Sequence, residues 1–139
     1  MVRVLIGNND NQKVIDNFKF LKENNEYEII TSKTGLETIK KCSISEPSII
    51  ILNSSFPDMH YTSVIDKISN LPNEYDKCNL ILTVNNIKEK MSLSNTSIIY
   101  KIFNPPFDEK IMAETVSLLK TKFETPALSL KELKGILLC

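Results

Sequence analysis

The sequence is short of histidine, of paired cysteines and of any excess of one sign of charge, and each shortage closes off a class of function. Cys42, Cys78 and Cys139 are odd in number and show no CxxC spacing, so neither a disulfide framework nor a cysteine-based zinc site is expected. Idle or buried thiols in a reducing compartment fit them better. The lone His60 has no Cys or His companion and is expected in an exposed loop, neither a metal ligand nor a phosphodonor. Seventeen basic side chains balance seventeen acidic ones, which excludes a basic nucleic-acid clamp. No apolar run approaches the roughly 20 residues that cross a bilayer. The opening MVRVLIGNND lacks a signal-peptide core, so a cytoplasmic location is expected. Internal repeats, low-complexity tracts and DNA-reading motifs are also missing.

What is present suits one compact domain with a short appendage: 139 residues, 42% of them apolar. A chain of this length removes roughly two-thirds of its unfolded surface from water and needs no metal or disulfide to hold a core. Alanine occurs only at Ala113 and Ala127 while Ile, Asn and Lys abound, a composition that resembles the codon bias of an AT-rich bacterial genome.

Short β-branched runs alternate with segments at helical spacing, the pattern of an α/β fold with a parallel sheet. Strands are expected over Val2 to Gly7, Tyr27 to Thr31, Ser48 to Leu52, Leu80 to Val84 and Ile98 to Phe103. The third and fourth are nearly continuous apolar runs and suit central positions; the second carries polar residues and suits an edge. Val14, Ile15, Phe18 and Leu21 mark one stripe of a first helix beginning near Asn11 or Gln12. Thr34 and Glu37 have capping-box spacing at the start of a second helix, expected to reach about Cys42. Val64, Ile65 and Ile68 mark a third helix, Ile87 to Leu93 a weak fourth, and Asp108 to about Phe123 a strong fifth. Domain boundaries follow: 1–123 for the domain, 124–139 for a linker and short amphipathic helix. In that tail, Glu124 to Leu128 reads as a breaker, Ser129 and Glu132 repeat the capping-box spacing, and Leu130, Leu133 and Leu137 share one stripe.

In an open parallel sheet, ligands and chemistry sit beyond the carboxyl ends of the strands. The residues there are Gly7, Asn8, Asn9 and Asp10 after strand one, Asn53 to Met59 after strand three, Thr83 at strand four, and Asn104 to Asp108 after strand five. With VLIGNND, EPSIIILNSSFPDM, LILTV and NPPFD in register, the chain from Val2 to Phe123 resembles the receiver domain of two-component response regulators. The resemblance implies a flavodoxin-like (βα)5 three-layer sandwich with a five-stranded parallel sheet in the order 2-1-3-4-5.

Residue by residue, the reaction centre departs from that family. The two acidic residues that hold Mg²⁺ are matched by Asn8 and Asn9, the phosphoacceptor Asp by Asn53, and the Lys after strand five by Pro105. Thr83 keeps the hydroxyl position, and Pro106 and Phe107 keep the rest of the last motif. A neutral amide is a poor nucleophile toward phosphorus. Magnesium prefers carboxylate oxygens and neutralises charge on a transferring phosphate, so the loss of three carboxylates and a cation predicts no metal, no cofactor and no phosphorylation-driven switch. Neutral amides are expected to make a pocket stable without metal. Pro105-Pro106 invites a cis peptide before Pro106. Two further changes bear on signalling. The aromatic position in strand five holds Ile102, with Tyr100 expected on the same face, and the small residue after the acceptor loop is Tyr61.

The reading that follows is an atypical receiver, or pseudo-receiver: phosphorylation-independent, not an enzyme, and used for protein contact or dimerisation in signalling or transcription regulation. Its expected contact face combines the fourth helical segment, the fifth strand and the fifth helix, with Lys88, Met91, Tyr100, Lys101, Glu109 and Lys110 as contact residues. A DNA-binding output domain in a longer parent is compatible with the tail, with no nucleic-acid or membrane contact by this chain. The alternatives are an acceptor using Ser54, Ser55 or Asp58, and a small uncharged ligand in the neutral pocket.

Overall fold

A computed structural model describes residues 2–8, 18–71, 79–85 and 98–123. Its elements are β1 (Val2–Gly7), α1 (Lys19–Glu23), β2 (Tyr27–Ser32), α2 (Gly35–Ser45), β3 (Ile49–Asn53), α3 (Tyr61–Ser69), β4 (Leu80–Thr83), β5 (Ile99–Phe103) and α4 (Glu109–Phe123). The five strands form one sheet in the order β2-β1-β3-β4-β5, and every neighbouring pair is parallel. This is the flavodoxin-like topology expected from the sequence.

The strand pattern sets the layers. Side chains alternate between sheet faces, so β3 sends Ile49 and Ile51 to one core and Ile50 and Leu52 to the other, all fully buried. Each such side chain contributes about 1.5–3 kcal/mol relative to exposure, which makes β3 the spine of the domain. The first core is closed by Phe18 and Leu21 around α1 and by Met112, Val116 and Leu119 on α4. The second is closed by Cys42 on α2 and by Val64, Ile65 and Ile68 on α3. The polar second strand lies at the sheet edge, as its composition requires. Burial pushes the Cys42 thiol up to about 12, so it stays neutral inside the core.

Several boundaries shift. β3 ends on Asn53 and β4 on Thr83, each one residue from the expected limit. α2 runs to Ser45, past the expected end at Cys42. Cys42 is the last buried residue of its stripe, but Ser43, Ile44 and Ser45 contain no breaker. The stop is set by Glu46, in the left-handed region at φ 46, and by Pro47, which disfavours a right-handed helical residue before it. Thr34 Oγ1 accepts from the Glu37 amide at 3.0 Å, but the Glu37 carboxylate pairs forward with Lys41 at 3.1 Å rather than closing the box. His60 is exposed as expected, yet it is the N-cap of α3, its Nδ1 accepting from the Thr62 amide at 3.3 Å. The expected start of the first helix with Val14 and Ile15, the segment Ile87 to Leu93 and the tail 124–139 lie outside the described residues.

Between β4 and β5 the register slips, Leu80 facing Ile99 and Ile81 facing Lys101, which leaves Tyr100 as the extra residue of a bulge. Ile99 and Ile102 therefore both pack on the second core. The expectation that Tyr100 shares the face of Ile102 is overturned, because the bulge inserts one residue into the alternation. Among the described residues no helix is long and apolar enough to cross a membrane.

Candidate functional site

The parallel register brings the carboxyl ends of β1, β3, β4 and β5 to one edge. Gly7 pairs with Leu52, Asn53 with Thr83, and Thr83 with Phe103, so Asn8, Asn53, Thr83 and Phe103 form one row, and Asn104 stands one residue beyond it at the end of β5. Asn8 is buried, and its backbone N–H donates to Ser32 O at 2.9 Å, tying the chain after β1 to the end of β2. Gly7 is required just before it: a Cβ there would lie 2.8 Å from Leu52 Cδ2 and 3.0 Å from Thr38 Oγ1. Asn9 lies outside the described residues.

Asn53, 1% exposed, is the centre of the site. Its Nδ2 donates to Thr83 Oγ1 at 3.0 Å, Asn85 Oδ1 at 3.2 Å and Thr83 O at 3.3 Å. Its Oδ1 accepts from the Ser55 amide at 3.1 Å and from Asn85 Nδ2 at 3.4 Å. The Thr83 carbonyl can only accept and the Ser55 amide can only donate, so the orientation of the Asn53 amide is fixed by backbone. Thr83 Oγ1 donates in turn to Leu52 O at 3.3 Å, and the Asn85 amide donates to Ser54 Oγ at 3.3 Å. The result is a closed network of neutral groups across β3 and β4.

Mg²⁺, which the resemblance implies, does not fit this donor set. A hard dication needs anionic or freely available oxygens; here Asn53 Oδ1 already accepts two N–H groups and its neighbour Nδ2 is a donor. Among the described residues no three His, Cys, Asp or Glu side chains converge. The position expected for a cation holds Pro105, exposed, in a cis peptide with Pro106. Asn104 Oδ1, just before it, is buried with no hydrogen-bond partner among the described residues.

The loop after β3 reveals a role the sequence reading missed. Asp58 Oδ1 accepts from the Gly35 amide at 2.7 Å and Oδ2 from the Leu36 amide at 3.0 Å, so its carboxylate clamps the first turn of α2. These bonds, Leu36 first and Gly35 second, hold the Asp58 carboxyl below its ordinary value. Gly35 permits the close approach, since a Cβ there would meet Met59 Cγ at 2.5 Å and Val64 Cγ2 at 2.8 Å. Tyr61, 1% exposed, fills the second core at the start of α3, its ring centroid 4.6 Å from that of His60. Asn85 was also missed. Its signal is the run Val84-Asn85-Asn86, where polarity switches on past the end of β4.

Of the expected contact residues, Tyr100 and Lys101 are exposed on β5, and Glu109 and Lys110 are exposed at the start of α4. Lys88 and Met91 lie outside the described residues.

No family model matches the chain, and no curated protein does. Solved structures match its fold. A two-component response regulator from Clostridium difficile is 17% identical with a TM-score of 0.72, over 90% of this chain and 100% of that one. A CheY-like receiver domain from Methanospirillum hungatei is 17% identical with a TM-score of 0.71, over 87% and 95%. The response regulator TrrA from Thermotoga maritima, solved in complex with Mg²⁺-BeF, is 22% identical with a TM-score of 0.69, over 86% and 99%. These likenesses establish the receiver fold.

Proposed function

We propose that this chain is a degenerate receiver domain, a phosphorylation-independent protein-contact or dimerisation module of cytoplasmic signal transduction or transcription regulation, with no catalytic step of its own. The observation that carries this reading is the Asn53 amide. Its nitrogen occupies the place where a phosphoacceptor would present an anionic oxygen, and it is held there by Thr83 and Asn85. A neutral nitrogen donor cannot attack phosphorus, and the surrounding acceptors would oppose a negative charge.

Two of the three other acceptors, Asp58 and Ser54, are disfavoured by their engagements. Both Asp58 oxygens accept amides of α2, and Ser54 Oγ accepts the Asn85 amide. The working surface is assigned to β5 and α4, where Tyr100, Lys101, Glu109 and Lys110 are joined by the exposed apolar side chains Ile111 and Leu118. Lys88 and Met91 extend it in sequence. A second copy or another signalling protein is the partner, and a DNA-binding output domain in a longer parent is compatible with this arrangement.

Sedimentation velocity of the full chain, with and without acetyl phosphate and Mg²⁺, tests the reading. Self-association that is unaltered by the phosphodonor and weakened by Tyr100→Asp supports it. Association that appears only after phosphodonor treatment contradicts it.

A further inference from the structure

Among the described residues β2 is an outer strand of the sheet and pairs with β1 alone. Along a parallel strand the N–H and C=O of one residue point to the same side, and successive residues alternate. The Glu26 and Ser32 carbonyls accept from the Val2 and Asn8 backbone amides at 2.9 Å, so residues 26, 28, 30 and 32 face β1. Tyr27, Ile29 and Thr31 therefore turn their backbone groups outward. An outward row of this kind is a template on which another strand can pair. The side chains do little to discourage one. YEIIT is rich in aromatic and β-branched residues, and the one charge in it, Glu28, is neutralised by Arg3 at 3.1 Å.

The chain itself closes the row at both ends. Before it, the Tyr27 backbone N–H donates to Asn24 O at 3.4 Å. At its far end Lys41, on α2, donates through Nζ to Thr31 O at 2.5 Å. Glu37, one helical turn earlier, holds the same ammonium at 3.1 Å. Lys41 thus reaches from the helix layer round to the strand edge. Its bond to the carbonyl is charge-assisted and stronger than a neutral one. A strand arriving to use Thr31 O must displace the ammonium and bury a charge beside itself, which costs more than one new hydrogen bond returns. The opposite edge is blunted by other means: β5 carries the Tyr100 bulge and the exposed Lys101.

We infer that Lys41 is a latch on the β2 edge, and that it closes this edge to strand addition by a second copy of the chain. The Lys41 ammonium occupies the acceptor that an added strand would need. Contacts with a partner are thereby confined to other faces, which agrees with the β5 and α4 assignment above but does not depend on it.

Sedimentation velocity of the full chain, read together with amide hydrogen exchange, tests the latch. Each variant is made alone and with Tyr100→Asp, which weakens association through β5 and α4. Lys41→Met keeps the side-chain stem and loses the donor. It is expected to add a concentration-dependent association that persists with Tyr100→Asp, with exchange at the Ile29 and Thr31 amides slowed several-fold as the edge pairs. Lys41→Gln, a second neutral variant, should behave alike, and Lys41→Arg, which keeps a charged donor, should match the wild type. No added association in either neutral variant, association that Tyr100→Asp abolishes, or association without slower exchange at Ile29 and Thr31 overturns the inference. Loss of folding in both neutral variants also overturns it, because Lys41 is then a stability residue.

Discussion

Replacing Asn53 by Asp restores the residue that the family resemblance implies, and the structure predicts that it harms this protein. The change is nearly isosteric but turns the Nδ2 donor into an oxygen inside a site that is 1% exposed. Three acceptors face that atom: Thr83 Oγ1 at 3.0 Å, Asn85 Oδ1 at 3.2 Å and Thr83 O at 3.3 Å. The Asn85 side-chain amide can turn to donate, and the Thr83 hydroxyl can rotate at the expense of its bond to Leu52 O. The Thr83 carbonyl cannot adapt, and it is left against a buried carboxylate. An unmatched buried polar group costs about 1–3 kcal/mol, more when charged, so a loss of about 3 kcal/mol is expected at neutral pH, a fall in Tm of roughly 10 °C. The sign of the pH dependence follows from burial, which raises the folded-state pKa of the new carboxyl above its unfolded value of about 3.9. The folded state then binds more protons between those two values, so the variant loses stability as pH rises from about 4 until the folded pKa is passed. Thermal unfolding of both proteins from pH 4 to 8, with and without Mg²⁺, reads this out. Equal stability at pH 8, a variant that gains on wild type as pH rises, or full rescue by Mg²⁺ would refute the reasoning.

Other perturbations probe the supporting structure. Asp58→Asn should speed hydrogen exchange at the Gly35 and Leu36 amides. Because the folded-state pKa of Asp58 is lowered, its contribution is present above the ordinary carboxyl range and lost as pH falls through the folded value, so the wild type should approach the variant in acid. Tyr61→Ala should destabilise by about 3–5 kcal/mol through the cavity left in the second core, measured by denaturant unfolding. Thr34→Ala should cost about 1 kcal/mol through loss of the α2 N-cap, seen as a lower denaturant midpoint with an unchanged slope.

The fold was legible where one physical signal dominated. SIIIL in β3 and LILTV in β4 read as central strands because only a doubly covered strand can bury every side chain, and the polar YEIIT run read as an edge for the converse reason. Signals that depend on distant partners were not legible. Nothing local places Tyr100 in a bulge, since the slip arises from pairing with Leu80 and Ile81. Asp58 looked like an available carboxylate because its partners, Gly35 and Leu36, lie more than twenty residues earlier. At the site, Asn8, Asn53 and Thr83 were identified from the strand ends together with the family resemblance, but Asn85 was not, because its bond to Asn53 crosses between strands. The chemistry of the site depends on that crossing: it converts isolated neutral residues into a closed network.

The most direct test of the central claim is the intact mass of the full chain after incubation with acetyl phosphate and Mg²⁺. The amide network around Asn53 predicts an unchanged mass. A gain of one phosphoryl group, located by fragmentation to the strand-end residues around position 53, would contradict it.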